Sequence, residues 1–543
     1  MSESTTAPTG AAGRARPTNA ADAAAFVSRH RWLILFGLIT AAVMEVLDTT
    51  IINVALPQMA GNLGATQEEI GWVATGYILS NVVVLPMTAF FTERFGRQRY
   101  LTTSIIIFVL ASFFCGTSGS LTELVVWRII QGAGGAALLS TAQATIRQIF
   151  PREQQGMVQA IFILGIIVAP TLGPTLGGWI TDNYTWNWCF FINVPIGIVS
   201  ALLVSTFLHD PPEQRARRGE VDWLGIGLLT VGVGALQYVL EEGNQKDWFA
   251  DATLLRLAIL SGVCLSTMLW WELSPRNKHP VVQFRVLKNR QLSASIFLFV
   301  ALGFGLYGGT FIFPLFTQSI LRFSPTETGL AMMPGGIATA VTAIICGRLL
   351  NGEKPLADSR VLIAIGIALF LVSMYKLGHL TTMAGEPDVR AALIIRGAGL
   401  GFLFTPINNV AYGALEPHEA QQASGLINLS RQLGGSFGIA ILANYVAKHT
   451  QLHRLDLVSD VVAGSPMTAQ RLQGLTIPFL NRGLSPYEAQ HAAVGLLDKQ
   501  VTLQAAMLSY NDAWMLLLIT FVLVSPAILL LKRPTHGGMG GGH

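Results

Sequence analysis

The sequence predicts an all-α polytopic membrane protein of fourteen transmembrane helices, arranged as two six-helix bundles plus two inserted helices. Three observations predict it. Hydrophobic residues make up 51% of the 543 positions and charged residues only 12%, where a soluble chain carries about 25% charge. Apolar runs of about 20 residues recur along the chain, the length that crosses a bilayer as a helix. Lys and Arg gather in alternate connections between those runs. The runs are continuous rather than alternating, which argues against a transmembrane barrel. The net charge of +4 is small and follows loop placement, so it gives no sign of nucleic-acid binding.

Residues 1–31 are rich in Ala, Thr and Ser and carry Arg14, Arg16, Arg29 and Arg31. They lack the apolar core of a cleaved signal peptide and read as a disordered cytoplasmic tail. The spans follow at 32–55, 69–91, 101–118, 122–144, 157–180, 189–208, 222–241, 253–273, 293–316, 326–350, 360–379, 389–413, 423–446 and 512–531. With the N-terminus inside, the inner connections hold most of the 35 basic residues, among them Arg94, Arg97, Arg99, Arg147, Arg152, Arg215, Arg217, Arg218, Arg285, Lys288, Arg348 and Lys532. The short outer loops hold only Lys246, Arg322 and Arg390. That asymmetry places both termini in the cytoplasm of a multi-pass inner (plasma) membrane protein. The even count divides the chain into a bundle at 32–208, an inserted pair with its linkers at 209–292, a second bundle at 293–533 and a flexible tail at 534–543.

The long outer loop at 447–511 is not low-complexity. Ser485, Pro486 and Glu488 have the spacing of a capping box with Pro at the first helical position, so a helix is expected over 486–508. Two readings fit this loop: a lid on its own bundle, or a docking surface for a periplasmic partner. The cysteines, Cys115, Cys189, Cys264 and Cys346, fall in apolar runs without paired or metal-ligand spacing and are expected to be free thiols.

The stretch Met44–Pro57 carries the most telling chemistry. Glu45 and Asp48 lie inside the first span, roughly 20 Å from its start for Glu45 and about 5 Å further for Asp48. Three residues apart, they share a helix face. Ionisable groups are costly at that depth and usually mark an ion or substrate path. Arg128 lies about one and a half turns into the fourth span, followed by Gln131, Gly132, Gly134 and Gly135. It needs a partner, either a carboxylate or backbone carbonyls; Asp48 and Glu45 are both candidates by chemistry. In the fifth span, Gly165, Pro170, Gly173, Pro174, Gly177 and Gly178 predict a bent helix in close contact with a neighbour. Between the second and third spans, Glu93, Arg94, Gly96 and Arg97 suit a latch, with arginines binding carboxylates at inner helix ends. In the second half, Arg396, Asn408 and Asn409 are the main polar groups, and no acid lies near the centre of a span. Proton coupling is therefore expected in the first half. The arginine before closely spaced glycines at Arg128–Leu139 is echoed at Arg396–Phe404, as in transporters built from repeats with a midplane site. The chain lacks a GxxxxGK[ST] loop, which disfavours ATP-driven pumping, and it lacks HExxH or Cys/His clusters. A cofactor or metal is not expected, and neither is an enzyme.

Taken together, these residues resemble the fourteen-span drug:proton antiporters of the major facilitator superfamily, of the EmrB/QacA type, over about residues 32–533. The resemblance rests on Leu47–Pro57, Glu93–Arg97, Arg128–Gly132, the run from Gly165 to Gly178, Trp186–Gly197 and Val221–Leu229. Leu236–Phe249 and Met507–Trp514 look closest to the EmrB-like branch. Three positions depart from the pattern: Ala89 where Gly is frequent, Glu93 where Asp is usual, and Glu45 where a neutral residue is expected. The resemblance implies the major facilitator fold and a secondary active transporter. It would export hydrophobic or amphipathic compounds, including drugs, in exchange for protons, using Asp48, Glu45 and Arg128. Glu45 would bind a cationic substrate or add a proton site. A periplasmic adaptor and an outer-membrane channel are implied partners. A dedicated exporter of an endogenous metabolite (a siderophore, lipid or natural product) would use the same fold and acids. A non-transporting receptor is a further alternative, disfavoured by the buried acids.

Overall fold

A computed structural model describes residues 20–210, 222–243, 246–277, 280–350, 356–413, 415, 419–462 and 464–531. Every regular element among them is helical. The first half runs α1 (Ala20–Leu63), the single turn α2 (Gln67–Ile70), α3 (Trp72–Val84), α4 (Thr88–Phe95), α5 (Arg97–Thr117), α6 (Leu121–Ile149), α7 (Arg152–Asn183), the short α8 (Trp188–Phe191) and α9 (Asn193–Phe207). A helix pair follows, α10 (Trp223–Glu242) and α11 (Ala252–Leu273). The second half runs α12 (Arg290–Ser319), α13 (Pro325–Leu350), α14 (Ser359–Leu377), α15 (Glu386–Gly413), α16 (Ala420–Ser459), α17 (Pro466–Leu480) and α18 (Pro486–Val524).

Twelve described segments are long and apolar enough to cross a membrane. Two other long helices, α7 with 32 residues and α16 with 40, occupy the fifth and thirteenth span positions expected from the sequence. The second span is α3 and α4 joined by a tight turn at Leu85–Met87. Pro86 cannot donate to the helix there, so the winding tightens rather than breaks. Outward-facing side chains such as Ile259, Val263 and Leu202 are about 60% exposed and apolar, the pattern of a surface bathed in lipid rather than water.

Buried apolar side chains divide by half. Ile34, Leu38, Phe108, Leu138 and Phe162 belong to a core within the first half. Phe299, Phe313, Phe370, Phe404 and Trp514 belong to one within the second. A smaller cluster of Val82, Leu229, Val233, Met268 and Leu426 joins α10 and α11 to α3 and α16. The inserted pair therefore sits against both halves along one side. On another side, α7 packs against α1 and α13.

Three boundaries differ from those expected. Residues 20–31, read as part of a disordered tail, are the first turns of α1. Ala-rich sequence favours the helix, and Phe26 meets the rings of Phe207 and His209 at 6.3 and 5.2 Å; residues 1–19 lie outside the described residues, as does the tail at 534–543. The region 447–511 is a helical projection rather than a loop. α16 continues to Ser459, and α18 runs unbroken through both the expected outer helix and the expected last span. The capping box at Ser485 and Glu488 starts it, and no Gly or Pro interrupts the join at Met507–Trp514. His453 Nε2 lies 2.7 Å from Asp512 Oδ2, and Arg454 donates to Asp498 at 2.7 Å, tying the α16 extension to α18.

The close approach of α7 to α1 requires glycine. A Cβ at Gly173 would lie 2.0 Å from Thr50 Oγ1, and one at Gly177 would lie 2.6 Å from the Ile51 carbonyl. Gly173→Ala should therefore lower the thermal midpoint in detergent, with an overpacking cost of about 1–3 kcal/mol. Gly227→Ala, where a Cβ meets nothing within 4 Å, should leave the midpoint unchanged; equal effects would contradict the packing account.

Candidate functional site

α1 delivers Asp48 to the interior of the first half, where its side chain is fully buried. Arg128 reaches it from α6 and is 1% exposed, so it does not snorkel to the surface. Arg128 Nη1 donates to Asp48 Oδ2 at 2.5 Å and to Gln131 Oε1 at 2.8 Å, while its Nε donates to the Val73 carbonyl at 2.8 Å. The guanidinium thus takes both kinds of partner that the sequence left open, a carboxylate and a carbonyl. Its plane lies over the Tyr77 ring at 4.3 Å, which covers the charge with a π-face.

The other oxygen of Asp48 is held as fully. Gln131 Nε2 donates to Oδ1 at 3.0 Å and Asn193 Nδ2 donates to it at 2.7 Å. Asn193 also donates to Ser112 Oγ at 3.1 Å, and Ser112 donates to the Phe190 carbonyl at 2.9 Å. Side chains and carbonyls from α1, α3, α5, α6, α8 and α9 therefore converge on one ion pair. A pair at this depth persists because nearly every charged atom has a partner; removing one partner typically costs about 3–5 kcal/mol.

Glu45 shares the helix face but not the partners. It is 8% exposed. Asn81 Nδ2 donates to its Oε1 at 3.3 Å and the Leu139 amide donates to Oε2 at 3.1 Å. The structure brings Arg128 to Asp48 and not to Glu45.

At the end carrying the Glu93–Arg99 loop, Gly96 adopts φ +85° between α4 and α5, a conformation that only glycine takes without strain. Arg97 follows it and is buried. Its Nε lies 3.4 Å from Asp210 Oδ1, and its Nη1 donates to Gln148 Oε1. The Gln98 amide donates to Asp210 Oδ2 at 2.9 Å. Arg97 thus ties α5 to the chain just past α9 through an ion pair with Asp210, and to α6 through Gln148. Glu93 and Arg94 lie in the last turns of α4. In α7, Gly165 faces Val43 and Ile39 of α1, and Gly178 is buried. The side chains of Pro170 and Pro174 lie outside the described residues.

In the second half, Arg396 donates to the Leu306 carbonyl at 3.1 Å and to Thr310 Oγ1 at 3.2 Å. It thereby binds the backbone of α12 much as Arg128 binds that of α3, with Gly309 rather than an acid beneath it. Asn408 donates to Phe404 in its own helix at 2.9 Å, and Asn409 is half-buried on the same helix. The halves meet mostly through residues that the sequence reading passed over. Ser424 Oγ donates to the Ser140 carbonyl at 2.8 Å, and Asn428 Nδ2 to Gln143 Oε1 at 3.1 Å. Arg147 stacks on Tyr412 at 4.8 Å. Asn81, Asn193, Asn428 and Arg431 carried the same signal as Asp48, a polar side chain well inside an apolar run. Arg431 even precedes Gly434 and Gly435 as Arg128 precedes Gly134 and Gly135.

A fold of packed helices in two halves, joined by a buried polar seam, has a counterpart in known proteins. The description of the Major Facilitator Superfamily matches residues 38–439. The chain belongs to this superfamily. It is 32% identical to the fatty acid resistance protein FarB of Neisseria gonorrhoeae over 517 residues, covering 94% of this chain and 98% of that protein. It is 32% identical to the multidrug export protein EmrB of Haemophilus influenzae, covering 92% and 96%, and 31% identical to EmrB of Escherichia coli, covering 94% and 97%. The crystal structure of the human organic anion transporter MFSD10 aligns with a TM-score of 0.56 at 12% identity, covering 93% of this chain and all of that one; at that identity the likeness concerns the fold. Membership makes the chain a multi-span membrane transporter rather than an enzyme, with small molecules as its cargo.

Arg128→Met should destabilise the transporter strongly, because Asp48 is then buried without its cation. Adding Asp48→Asn to that variant should recover part of the loss. Thermal unfolding of the purified single and double variants in detergent measures both, and strict additivity would show that the pair is not coupled.

Proposed function

We propose that this superfamily member is a proton-coupled multidrug efflux antiporter that exports hydrophobic or amphipathic compounds by alternating access. The observation that carries the reading is Asp48, a fully buried carboxylate in the middle of α1 whose only cation among the described residues is Arg128. Such a group has two states that matter. Ionised, it holds Arg128, Gln131 and Asn193 around it. Protonated, it loses the ion pair and leaves Arg128 on the Val73 carbonyl and the Tyr77 ring. Proton uptake thereby loosens α1 from α3, α6 and α9, and proton release tightens them. Because α7 lies on α1 at Thr50 and Ile51 and also packs on α13, a change around Asp48 has a direct route to the other half. The 32–208 and 293–533 units would rock against each other, with 209–292 between them, and α7 and α16 would complete fourteen spans.

Orientation follows from the basic loops: both termini in the cytoplasm of the inner membrane. Protons moving inward would then drive cargo outward. The projection built from the end of α16, α17 and the start of α18 would lie outside, where a periplasmic adaptor linked to an outer-membrane channel would meet it. The near-full-length similarity to FarB, named for fatty acid resistance, supports a second reading, a dedicated exporter of one amphipathic metabolite.

Asp48→Asn should abolish proton-linked efflux while leaving expression and membrane insertion intact. Everted vesicles loaded with a pH dye report it directly. Full drug-driven proton flux in the variant would remove Asp48 from the mechanism. Flux with a single amphipathic metabolite, and with none of a drug panel, would favour the dedicated exporter.

A further inference from the structure

The Asp48–Arg128 pair leaves two buried charges unexplained. Glu45 has no cation within ion-pair distance among the described residues, and its oxygens take only Asn81 and the Leu139 amide. Arg431 of α16 is the mirror case. It is 3% exposed, donates to Asn428 Oδ1 at 3.0 Å, lies over the Phe404 ring at 5.6 Å, and keeps a buried Nε without a partner. No carboxylate lies within ion-pair distance of it among the described residues.

One stretch of α6 links the two. The Leu139 amide holds Glu45; the next residue, Ser140, accepts from Ser424; one turn on, Gln143 accepts from Asn428, and Asn428 holds Arg431. Glu45 belongs to the first half and Arg431 to the second, so this run of bonds crosses the boundary between them. The bonds between them lie on the half of α6 nearer the Glu93–Arg97 latch.

We propose that Arg431 is the counter-charge through which protonation of Glu45 controls closure of the two halves at the latch end. Ionised Glu45 draws Arg431 towards the first half and keeps the Ser140–Ser424 and Gln143–Asn428 bonds closed. Neutral Glu45 exerts no such pull, and the halves part there. Arg431 is a positioning residue in this scheme and Glu45 the proton carrier. Other ionisable groups face Glu45 without competing for this role. Asp48 on α1 is committed to Arg128, and Tyr77 on α3 lies under that arginine. α9 contains no ionisable residue, and α7 holds Arg152, Glu153 and Asp182 only at its ends. The inference rests on the proton-coupled reading and assigns that cycle a gate: the proton-loaded protein opens at the latch end, and proton release closes it.

Spin labels at Arg99→Cys on α5 and Leu356→Cys beside α14, both exposed, report the separation in nanodiscs. In an otherwise unaltered chain with Cys264→Ser, the open-to-closed ratio should rise about tenfold as the pH falls, a typical coupling strength. Glu45→Gln should hold the open-leaning ratio at every pH. Arg431→Gln should flatten the pH dependence, Arg431→Lys should keep it, and the exchange of Glu45→Arg with Arg431→Glu should restore it. An unchanged pH dependence in Arg431→Gln, or no recovery in the exchanged pair, would overturn the proposal; if Arg431→Gln does not fold, a flat profile in Arg431→Lys does the same. Absence of drug-driven proton flux from the unaltered protein would instead remove the antiport reading and leave this distance measurement standing, so the two ideas fail separately.

Discussion

The first half of the molecule depends on one buried ion pair. Taking a carboxylate and a guanidinium out of water is expensive, and their mutual attraction offsets that cost only when the remaining lone pairs and protons are also met. Asp48 and Arg128 reach that condition by drawing on Gln131, Asn193, the Val73 carbonyl and the Tyr77 ring. The surrounding helices are therefore positioned by a polar centre as well as by apolar packing. That dependence makes the site sensitive: loss of one partner would change the balance for every helix that contributes another.

Glycine-lined contact supplies the mechanical complement. In a bilayer, helices gain little from hiding apolar surface, because lipid is as apolar as leucine, so association rests on close packing and hydrogen bonds. α7 meets this requirement through Gly165, Gly173 and Gly177 against α1. On its other side it approaches α13, where a Cβ at Gly329 would lie 2.1 Å from Thr175 Oγ1. The helix that reads the neighbourhood of Asp48 is thus also a contact to the second half. At the end carrying the Glu93–Arg99 loop, α6 makes the equivalent connection through Ser140, Gln143 and Arg147, with hydrogen bonds and a cation–ring contact in place of glycines. Neither kind of contact would leave a large apolar surface exposed if broken.

The two halves are similar in plan and unequal in charge. Arg396 occupies on α15 the place that Arg128 has on α6, and both bind a carbonyl of a neighbouring helix. Among the described residues, only the first half adds an acid beneath that arginine. Buried acid at mid-depth is therefore one-sided, while the second half contributes cations, of which Arg431 faces the boundary.

Much of this was legible in the sequence, for definite reasons. Continuous apolar runs must be helices in lipid, because every backbone group has to be bonded within its own segment; that alone determined the all-helical architecture and most of the span limits. The cost of charge in that setting singled out Asp48, Glu45 and Arg128. Close glycine spacing pointed to the α7 contact, and the capping box to the start of α18. Tertiary structure alone decided the partners. Asp48 and Glu45 sit three residues apart on one face, and nothing in their spacing says that Arg128 takes one and not the other. The choice depends on where α6 crosses α1, which is set by packing among helices distant in sequence. Asn193 and Arg431 were passed over for the same reason: a single polar residue in an apolar run shows that a partner is needed, but only the fold shows which residue provides it.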